Sequence, residues 1–503
     1  MDFMTHISEQ LELGVTENGA VGYRSAGTEL DTMNFLASSM RKEEKHEILA
    51  RFRRCLLEDF KSAVIWLFFA RDVRQGMGER RLFRTCMKYL ASVHPVVARR
   101  LVPLIPEYGR WDDLFCLMGT EAEDRVVNFI RIQLCQDIEN MHTGKPVSLC
   151  AKWMPSENCS SADKRRTASY LRTRLGYSPE SYRKMLSALR KHLRVVECDM
   201  SSNRWEDINY AAVPSRANLQ YGDAFMRHDP ERRSEFVQKA LYGDEKMNAS
   251  VLFPHEIVHK YADRRFGAYY KYDVKPELEA LWRNLPDVVP PDASTMVVAD
   301  GSGSMLTCVD RHSGVTALDV ANALAIYFAE RLHGPYKNRY ITFSDSPRYV
   351  DLSKADSLLK KVLIAFKHDE VGSTNVEAVF DLVLKTAVDN RLRQEELPRN
   401  ILIISDMEFN QATWGWGEHK TLFGAIKRKF REHGYSLPRL VFWNVASRSH
   451  IVPMQTNPMG VALVSGFSPN VASMVMSGKL DPHEVLMEKL GSKRYDPVRE
   501  LLE

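Results

Sequence analysis

Apolar residues along this chain follow two different periods, one on each side of a proline-rich segment at Leu285–Pro291. Before that segment they recur every three or four positions, which is the spacing of amphipathic helices. After it, short uncharged apolar runs alternate with helical stretches, as in a parallel sheet covered by helices. The pattern therefore predicts two domains, residues 1–285 and 286–503, divided where the prolines interrupt the helical pattern.

The first domain is predicted to be all-helical after an irregular, glycine-bearing arm at residues 1–40. Helix pairs of about 30 to 45 residues with short breaks indicate a HEAT-like α-solenoid, although no strict repeat is visible. The clearest predicted helices are Lys42–Ala70, Arg80–Ala91, Val96–Ile105, Trp111–Met118 and Glu121–Ile138.

The second domain is predicted to be a doubly wound α/β domain, with a sheet of about six strands and helices between them. The predicted strands are Thr295–Ala299, Arg339–Phe343, Arg399–Ser405, Arg439–Val445 and Val461–Ser465.

The turn after the first of these strands carries the most informative chemistry. Asp300, Ser302 and Ser304 stand on alternate residues, separated by Gly301 and Gly303, and so offer a carboxylate and two hydroxyls. These are hard ligands suited to Mg²⁺, Mn²⁺ or Ca²⁺ and poor for zinc. The same turn lacks the glycine spacing of a dinucleotide loop, the G-x-S-x-G of a nucleophile elbow and the lysine of a P-loop.

Two later segments are expected to complete a metal site with this turn. Thr374 follows Gly372-Ser373 at the start of a helical run, and Asp406 ends another buried strand. Ligands of open α/β sheets gather beyond the carboxyl ends of the strands, where both acids are predicted to lie. The arrangement D-x-S-x-S, then T, then D resembles the metal-ion-dependent adhesion site (MIDAS) of von Willebrand factor A domains. The resemblance implies one Mg²⁺-type cation held by Asp300, Ser302, Ser304, Thr374 and Asp406.

A basic segment at Ser161–Arg194 stands out in a chain whose net charge is only +4. It contains ten lysines and arginines against Asp163 and Glu180, with three tyrosines between them. Basic residues mixed with aromatic ones favour single-stranded nucleic acid, whereas a merely solvated basic face more often carries compensating acids.

Two motifs in the helical domain carry a second family resemblance. R-D-x-R-x-G-x-G-E-R at Arg71–Arg80, followed by P-E-Y-G-R-W-D-D-L at Pro106–Leu114, is similar to the helical-repeat domain of the TROVE family. On composition alone, both stretches are also compatible with a salt-bridged helix connection and a buried corner. A TROVE domain followed by an A domain is the layout of Ro-type proteins, so the resemblance implies a helical ring that binds small noncoding or misfolded RNA. The RNA-binding residues expected from motif and charge are Arg71, Arg74, Arg80, Arg81, Arg110, Trp111, Lys164, Arg165, Arg166, Arg172 and Arg174.

The segment His255–His259 reads H-E-I-V-H, the zincin signature, with Glu279 at a plausible distance for a third ligand. Pro254 comes directly before it, so the histidines are expected at a helix start, without the long apolar helix of a metalloprotease. We predict that His255 and His259 hold no catalytic zinc.

The remaining composition indicates a cytoplasmic protein. The eight cysteines form no C-x-x-C pair, which is typical of reduced thiols in the cytosol. The N-terminal residues contain acids and no apolar core, unlike a signal peptide, and no apolar run is long enough to span a membrane.

Taken together, these features predict a monomeric, non-enzymatic, Ro-like RNA-binding protein with a divalent cation in its A domain. A cation bound through hydroxyls activates water poorly compared with a carboxylate-rich two-metal site. The alternative is a protein-interaction adaptor, in which the cation binds an acidic residue of a partner and the helical domain is a second protein platform.

Overall fold

Among the described residues, helices predominate from Glu29 to Arg283, and a six-stranded mixed sheet follows them. The computed structural model describes residues 13–261, 273–309, 314–411, 421–468, 471 and 480–503. The first twelve residues of the predicted arm lie outside the described residues. The α-helices of the first region are α1 (Glu29–Leu36), α2 (Lys45–Glu58), α3 (Phe60–Arg71), α4 (Arg80–Val93), α5 (Pro95–Leu101), α6 (Ile105–Tyr108), α7 (Glu123–His142), α8 (Cys150–Trp153), α9 (Ala162–Leu175), α10 (Pro179–His192), α11 (Val196–Ser201), α12 (Ser215–His228), α13 (Pro230–Tyr242), α14 (Pro254–Val258) and α15 (Pro276–Arg283).

Helix α3 lies at the centre of the helical region, because every residue from Ser62 to Arg71 is buried. A helix that is apolar on all sides is expected in a core. The prediction of one continuous helix from Lys42 to Ala70 is wrong, because this segment forms two helices, α2 and α3, with a break at Asp59. The Asp59 carboxylate accepts a hydrogen bond from the backbone N–H of Ser62 at 3.0 Å and so caps α3.

The sheet consists of β3 (Thr295–Asp300), β4 (Arg339–Phe343), β5 (Pro347–Asp351), β6 (Asn400–Ser405), β7 (Arg439–Asn444) and β8 (Val461–Ser465). Its strand order is β5-β4-β3-β6-β7-β8, and all neighbours are parallel except the antiparallel pair β4 and β5. The central strands β3 and β6 pair in parallel with Ala299 opposite Ile404, so their carboxyl ends meet at one edge. A helical first region and a mixed, mainly parallel sheet in the second are confirmed. The α-helices of this second region are α16 (Ala317–Arg331), α17 (Leu358–Lys367), α18 (Glu377–Asp389), α19 (Leu422–Glu432), α20 (Pro482–Leu490) and α21 (Asp496–Glu500).

The two ends of the chain each pack on the opposite region. Residues 13–23, predicted to be irregular, form a short antiparallel hairpin of β1 (Leu13–Val15) and β2 (Val21–Tyr23) against loops of the sheet region. Helix α1 then packs on β8, while α20 and α21 pack on α3. The two regions are therefore joined by contacts at both termini, in addition to the connection between α15 and β3.

No helix in the described part of the chain is long and apolar enough to cross a membrane.

Candidate functional site

The edge of the sheet where β3 and β6 end brings two buried acids together. Asp300 is the last residue of β3 and Asp406 follows β6, and each is only 1% exposed. Ser405, beside Asp406, donates a hydrogen bond from its hydroxyl to Asp300 Oδ2 at 2.5 Å. The parallel pairing of two apolar strands thus places both carboxylates at one edge.

The turn after Asp300 directs its hydroxyls toward the same place. The backbone N–H of Ser302 donates to Asp300 Oδ1 at 2.9 Å, and the hydroxyls of Ser302 and Ser304 are 3.1 Å apart. A side-chain hydrogen bond with Ser304 is among the influences that lower the pKa of Asp406, so this serine lies beside the second acid. The turn therefore places two hydroxyls between the two carboxylates.

Thr374 reaches this edge because its loop is hydrogen-bonded to the turn. The N–H of Gly303 donates to the carbonyl of Gly372 at 2.9 Å, and the N–H of Val371 donates to the carbonyl of Gly301 at 3.0 Å. The two loops lie close together here, since a Cβ at Gly303 would be 3.4 Å from the Val371 carbonyl oxygen. Thr374 itself is 1% exposed.

The electrostatics of the two acids differ from those of ordinary surface carboxylates. Burial raises the pKa of Asp300 above its usual value, against hydrogen bonds from Ser302 and Ser405 that lower it. Burial also raises the pKa of Asp406, and the neighbouring charge of Asp300 raises it further. Two buried carboxylates that disfavour each other's ionisation form a site in which a cation would relieve both costs.

The donor set fits a hard divalent cation. Asp406 Oδ2 is buried and has no hydrogen-bond partner. The guanidinium of Arg448 lies 3.6 Å from it, beyond hydrogen-bond distance. No group of three or more His, Cys, Asp or Glu side chains suited to a metal occurs within the described ranges, and here the other donors are hydroxyls. Oxygen donors of this kind suit Mg²⁺ or Ca²⁺.

Two residues that the sequence reasoning did not assign to the site support it from outside. Asn18, in the hairpin turn, donates from its amide to Thr374 Oγ1 at 3.2 Å and to the Glu408 carbonyl at 2.6 Å. Glu408 is fully buried, and its carboxylate accepts hydrogen bonds from the backbone N–H groups of Glu17, Arg448 and Ser449. The sequence pointed to Glu408 only as a second acid two residues after Asp406. It gave no signal for Asn18, which lies far away in the chain.

In the H-E-I-V-H segment, His255 lies at a helix start, as the preceding proline predicted, and His259 caps the end of the same short helix. Helix α14 has five residues, and Glu256 accepts from the Phe253 N–H at 2.9 Å as part of its cap. Glu279, which the spacing offered as a third ligand, accepts instead from the N–H groups at the start of α17. Burial lowers the pKa of His255 to about 3, so this imidazole is neutral and internal.

The motifs that carry the TROVE resemblance form a buried charge network. The Arg71 guanidinium donates to Asp113 Oδ2 at 2.8 Å, and Arg84 donates to Oδ1 of the same carboxylate at 2.6 Å. Gly109 lies against this pair, since a Cβ there would clash with Asp113 Oδ2. Further ion pairs join Glu79 to Arg41 and Asp72 to Arg494 near the C-terminus.

This network corrects part of the predicted RNA-binding set. Arg71 is 2% exposed and paired with Asp113, and Trp111 is buried with its ring stacked on Phe129, so neither side chain is on the surface where a nucleotide could bind. Arg110 lies over the Trp153 ring at 4.2 Å and pairs with Asp112.

Three other arginines of the predicted RNA-binding set, Arg74, Arg80 and Arg81, are exposed. Arg74 and Arg81 donate to backbone carbonyls of neighbouring segments, and Arg80 begins α4.

The basic segment forms the antiparallel helices α9 and α10, joined by three residues, and acids from elsewhere neutralise part of it. Arg172 pairs with Glu157 and Arg174 with Glu123 and Asp124, while Arg166 pairs with Asp163. The exposed bases that form no ion pair among the described residues are Lys164, Arg165, Arg183, Lys191 and Arg194. Tyr182 is buried, whereas Tyr170 is about half exposed.

Comparison with known proteins places both regions in one family. The profile of a domain of unknown function, DUF7788, matches residues 294–498, and that of a second, DUF2828, matches residues 161–288. Uncharacterized protein L728 of Acanthamoeba polyphaga mimivirus is 30% identical over 526 residues, covering 97% of this chain and 88% of that protein. The chain belongs to the L728 family. Among solved structures, the Ro (RSR) protein of Deinococcus radiodurans is similar with a TM-score of 0.46 at 15% identity, over 90% of this L728-family chain and 100% of that one.

Proposed function

We propose that this L728-family protein is a non-enzymatic adaptor that binds RNA through its helical region and an acidic partner through a divalent cation at the sheet edge. In this proposal the helical region is a TROVE-type repeat domain and the sheet region a von Willebrand factor A-type domain. The observation that carries the cation site is Asp406 Oδ2, a buried carboxylate oxygen without a hydrogen-bond partner beside a second buried acid.

The residues that would hold the cation are Asp300, Ser302, Ser304, Thr374 and Asp406, with Mg²⁺ as the expected ion. The bound ion would supply an electrophilic position for a carboxylate of a partner. The three hydroxyl ligands are neutral, so the two aspartates supply the only negative charge in this donor set. Mg²⁺ takes six ligands, so five protein ligands would leave one position for such an acid. Asn18 holds the Thr374 hydroxyl in place, while the Ser405 hydroxyl and the Ser302 N–H orient Asp300.

The test is thermal unfolding of the full chain with and without Mg²⁺. Ligand at about 100 times its Kd should stabilise the wild type by about 2.7 kcal/mol. The double variant Ser302→Ala, Ser304→Ala should lose this stabilisation, whereas Ser353→Ala, an exposed serine of the same region, should keep it. If Mg²⁺ raised the unfolding temperature equally in the wild type and the double variant, the proposed site would be contradicted.

The RNA-binding proposal rests on the antiparallel helices α9 and α10. Lys164 lies in the first turn of α9 and Lys191 in the last turn of α10, so the antiparallel arrangement places both at the same end. Arg183 is on the second helix, and all three are exposed. Exposed bases without ion pairs are available to phosphates, and each phosphate that they neutralise releases counterions.

A charge-reversed variant, Lys164, Arg183 and Lys191 each to Glu, should therefore bind all RNAs more weakly. Its slope of log affinity against log salt should be shallower by about 0.7 for each phosphate of a single strand that the variant no longer neutralises. The measurement is a fluorescence titration at two salt concentrations, with single-stranded RNA and a duplex bearing a single-stranded 3′ end. Reversal of Lys337, Lys354 and Lys385, exposed in the sheet region, gives the same net charge as a control.

The outcome also separates RNA binding from a purely protein-binding adaptor. If the wild type and both variants bind RNA equally weakly while Mg²⁺ stabilisation persists, the protein-interaction function alone stands. A non-enzymatic role predicts that RNA stays intact after prolonged incubation with the protein and Mg²⁺.

A further inference from the structure

Arg448 lies between the sheet-edge acids and the N-terminal hairpin. Its Nη2 is 2.7 Å from Glu17 Oε2 in the hairpin turn and 3.6 Å from Asp406 Oδ2. Its Nη1 donates to the Thr307 hydroxyl at 3.1 Å. One guanidinium nitrogen is therefore shared unequally between a half-exposed acid and a buried one.

Both partners of this ion pair are fixed by the same buried carboxylate. Glu408 accepts from the Arg448 N–H at 2.7 Å through Oε1 and from the Glu17 N–H at 3.0 Å through Oε2. Ser449 adds two further hydrogen bonds to Oε1. Because Glu408 is two residues after Asp406, the loop that carries the candidate cation ligand also holds Arg448 and the hairpin turn.

We propose that Arg448 is an internal counter-cation that competes with the divalent ion for Asp406, and that Glu17 of the hairpin withdraws it when the ion binds. This inference rests on the cation site proposed above. A guanidinium and a divalent ion cannot both approach one carboxylate oxygen closely, since their charges repel. Glu17, already the nearer partner, can accept the whole guanidinium, so ion binding and hairpin docking support each other.

The proposal gives the two residues opposite effects on Mg²⁺ affinity. Arg448→Gln removes the competitor and should tighten Mg²⁺ binding about tenfold, which corresponds to about 1.4 kcal/mol. Glu17→Gln removes the alternative partner, leaves Arg448 to Asp406 and should weaken binding several-fold. In the double variant, the Glu17 substitution should have no further effect, because the residue acts only through Arg448.

The measurement is calorimetric titration of the full chain with Mg²⁺, with Lys385→Gln as a control for the loss of one exposed positive charge. Arg448→Lys, which retains the charge, should stay close to the wild type. If Arg448→Gln fails to fold, the Lys and Glu17 variants still decide the matter, because the proposal requires Glu17→Gln to weaken binding.

A second readout is hydrogen exchange of the hairpin. Mg²⁺ should slow exchange of the Glu17 N–H in the wild type, and this effect should be absent in Arg448→Gln. Mg²⁺ binding that is equal in wild type, Arg448→Gln and Glu17→Gln would overturn the competition and leave the cation site standing. Absence of binding in the wild type and in every variant would overturn the cation site itself.

Discussion

Two clusters of buried acids, one in each region, differ in how closely an arginine approaches them. Arg71 lies 2.7 Å from Asp113, whereas Arg448 lies 3.6 Å from Asp406. In the helical region, burial disfavours ionised Asp113, but the charges of Arg71 and Arg84 outweigh this and lower its pKa. At the sheet edge, burial raises the pKa values of Asp300 and Asp406, and no arginine among the described residues comes within hydrogen-bond distance of Asp406 Oδ2.

We infer from this difference that the charges around Asp113 stabilise the fold, whereas those at the sheet edge are candidates for binding a ligand. A buried acid paired with arginine completes the native structure, and its loss leaves an uncompensated charge. A pair of buried acids facing hydroxyls costs stability unless a cation arrives. Sites of the second kind are candidates for function, and those of the first kind are not.

Breaking the paired cluster should have the largest effect on stability. Asp113→Ala leaves Arg71 buried without its partner, which should cost about 3–5 kcal/mol of unfolding free energy. Denaturant unfolding measures this, with Asp163→Ala as the control, since that acid pairs with Arg166 on the surface. A loss below about 1 kcal/mol for Asp113→Ala would contradict the assignment of the cluster to the fold.

Substituting an acid of the sheet-edge cluster should change the unfolding free energy in the opposite direction. Asp406→Asn removes one of two like charges, so in buffer without divalent ions it should stabilise the fold at pH 7. The gain should be on the order of 1–2 kcal/mol, because one pKa unit corresponds to about 1.36 kcal/mol. Added Mg²⁺ should then stabilise the wild type and leave the variant unchanged.

The pH dependence of unfolding tests the same expectation, that the Asp406 carboxylate destabilises the fold when it is ionised. A carboxylate whose folded pKa is raised stabilises the fold below its unfolded pKa and loses this contribution as pH rises through the folded value. The advantage of Asp406→Asn should therefore be small near pH 4 and grow toward pH 7. An advantage that grows as pH falls would mean that Asp406 is stabilised in its ionised form.

Much of the sheet could be predicted from sequence, because its strands are apolar runs bounded by turn residues. Strands β4 and β8 have the predicted limits, and β3, β6 and β7 differ by one residue. Strand β5 was missed because only Val350 of its five residues is buried, so it lacks the apolar pattern. The hairpin was missed because its two three-residue strands, each with a glycine, depend on tertiary contacts with the loops at Asn410 and Val452.

The limits of the site prediction have a different origin. The two acids among the five predicted cation ligands were read from strand ends, a position that topology determines, and the full set came from the family resemblance. The sequence does not separate buried, paired arginines from exposed ones in this way, because the partner of Arg71 stands 42 residues later in the chain. One signal was present, since Arg71 ends a helix that is apolar on all sides and is buried with it.

Glu408 offers an intermediate test, because it is a buried acid satisfied by N–H groups. In Glu408→Gln the amide nitrogen faces donors that need an acceptor, so at least one hydrogen bond is lost. The expected cost is about 1–3 kcal/mol, with faster hydrogen exchange in residues 13–23. Gln411→Ala, at the exposed end of the same loop, is the control.

The smallest effect on stability is expected from the bases that the fold does not use. Lys164, Arg183 and Lys191 are exposed and form no ion pair among the described residues, so their reversal to Glu should change the unfolding free energy by no more than about 0.5 kcal/mol. The same variant should show the shallower salt dependence of RNA binding proposed above. Loss of binding together with loss of stability would mean that these bases support the helices, and the RNA surface would have to lie elsewhere. Unchanged stability with weaker binding would mean that the surface charges of α9 and α10 serve a ligand, which is the role proposed for the acids at the sheet edge.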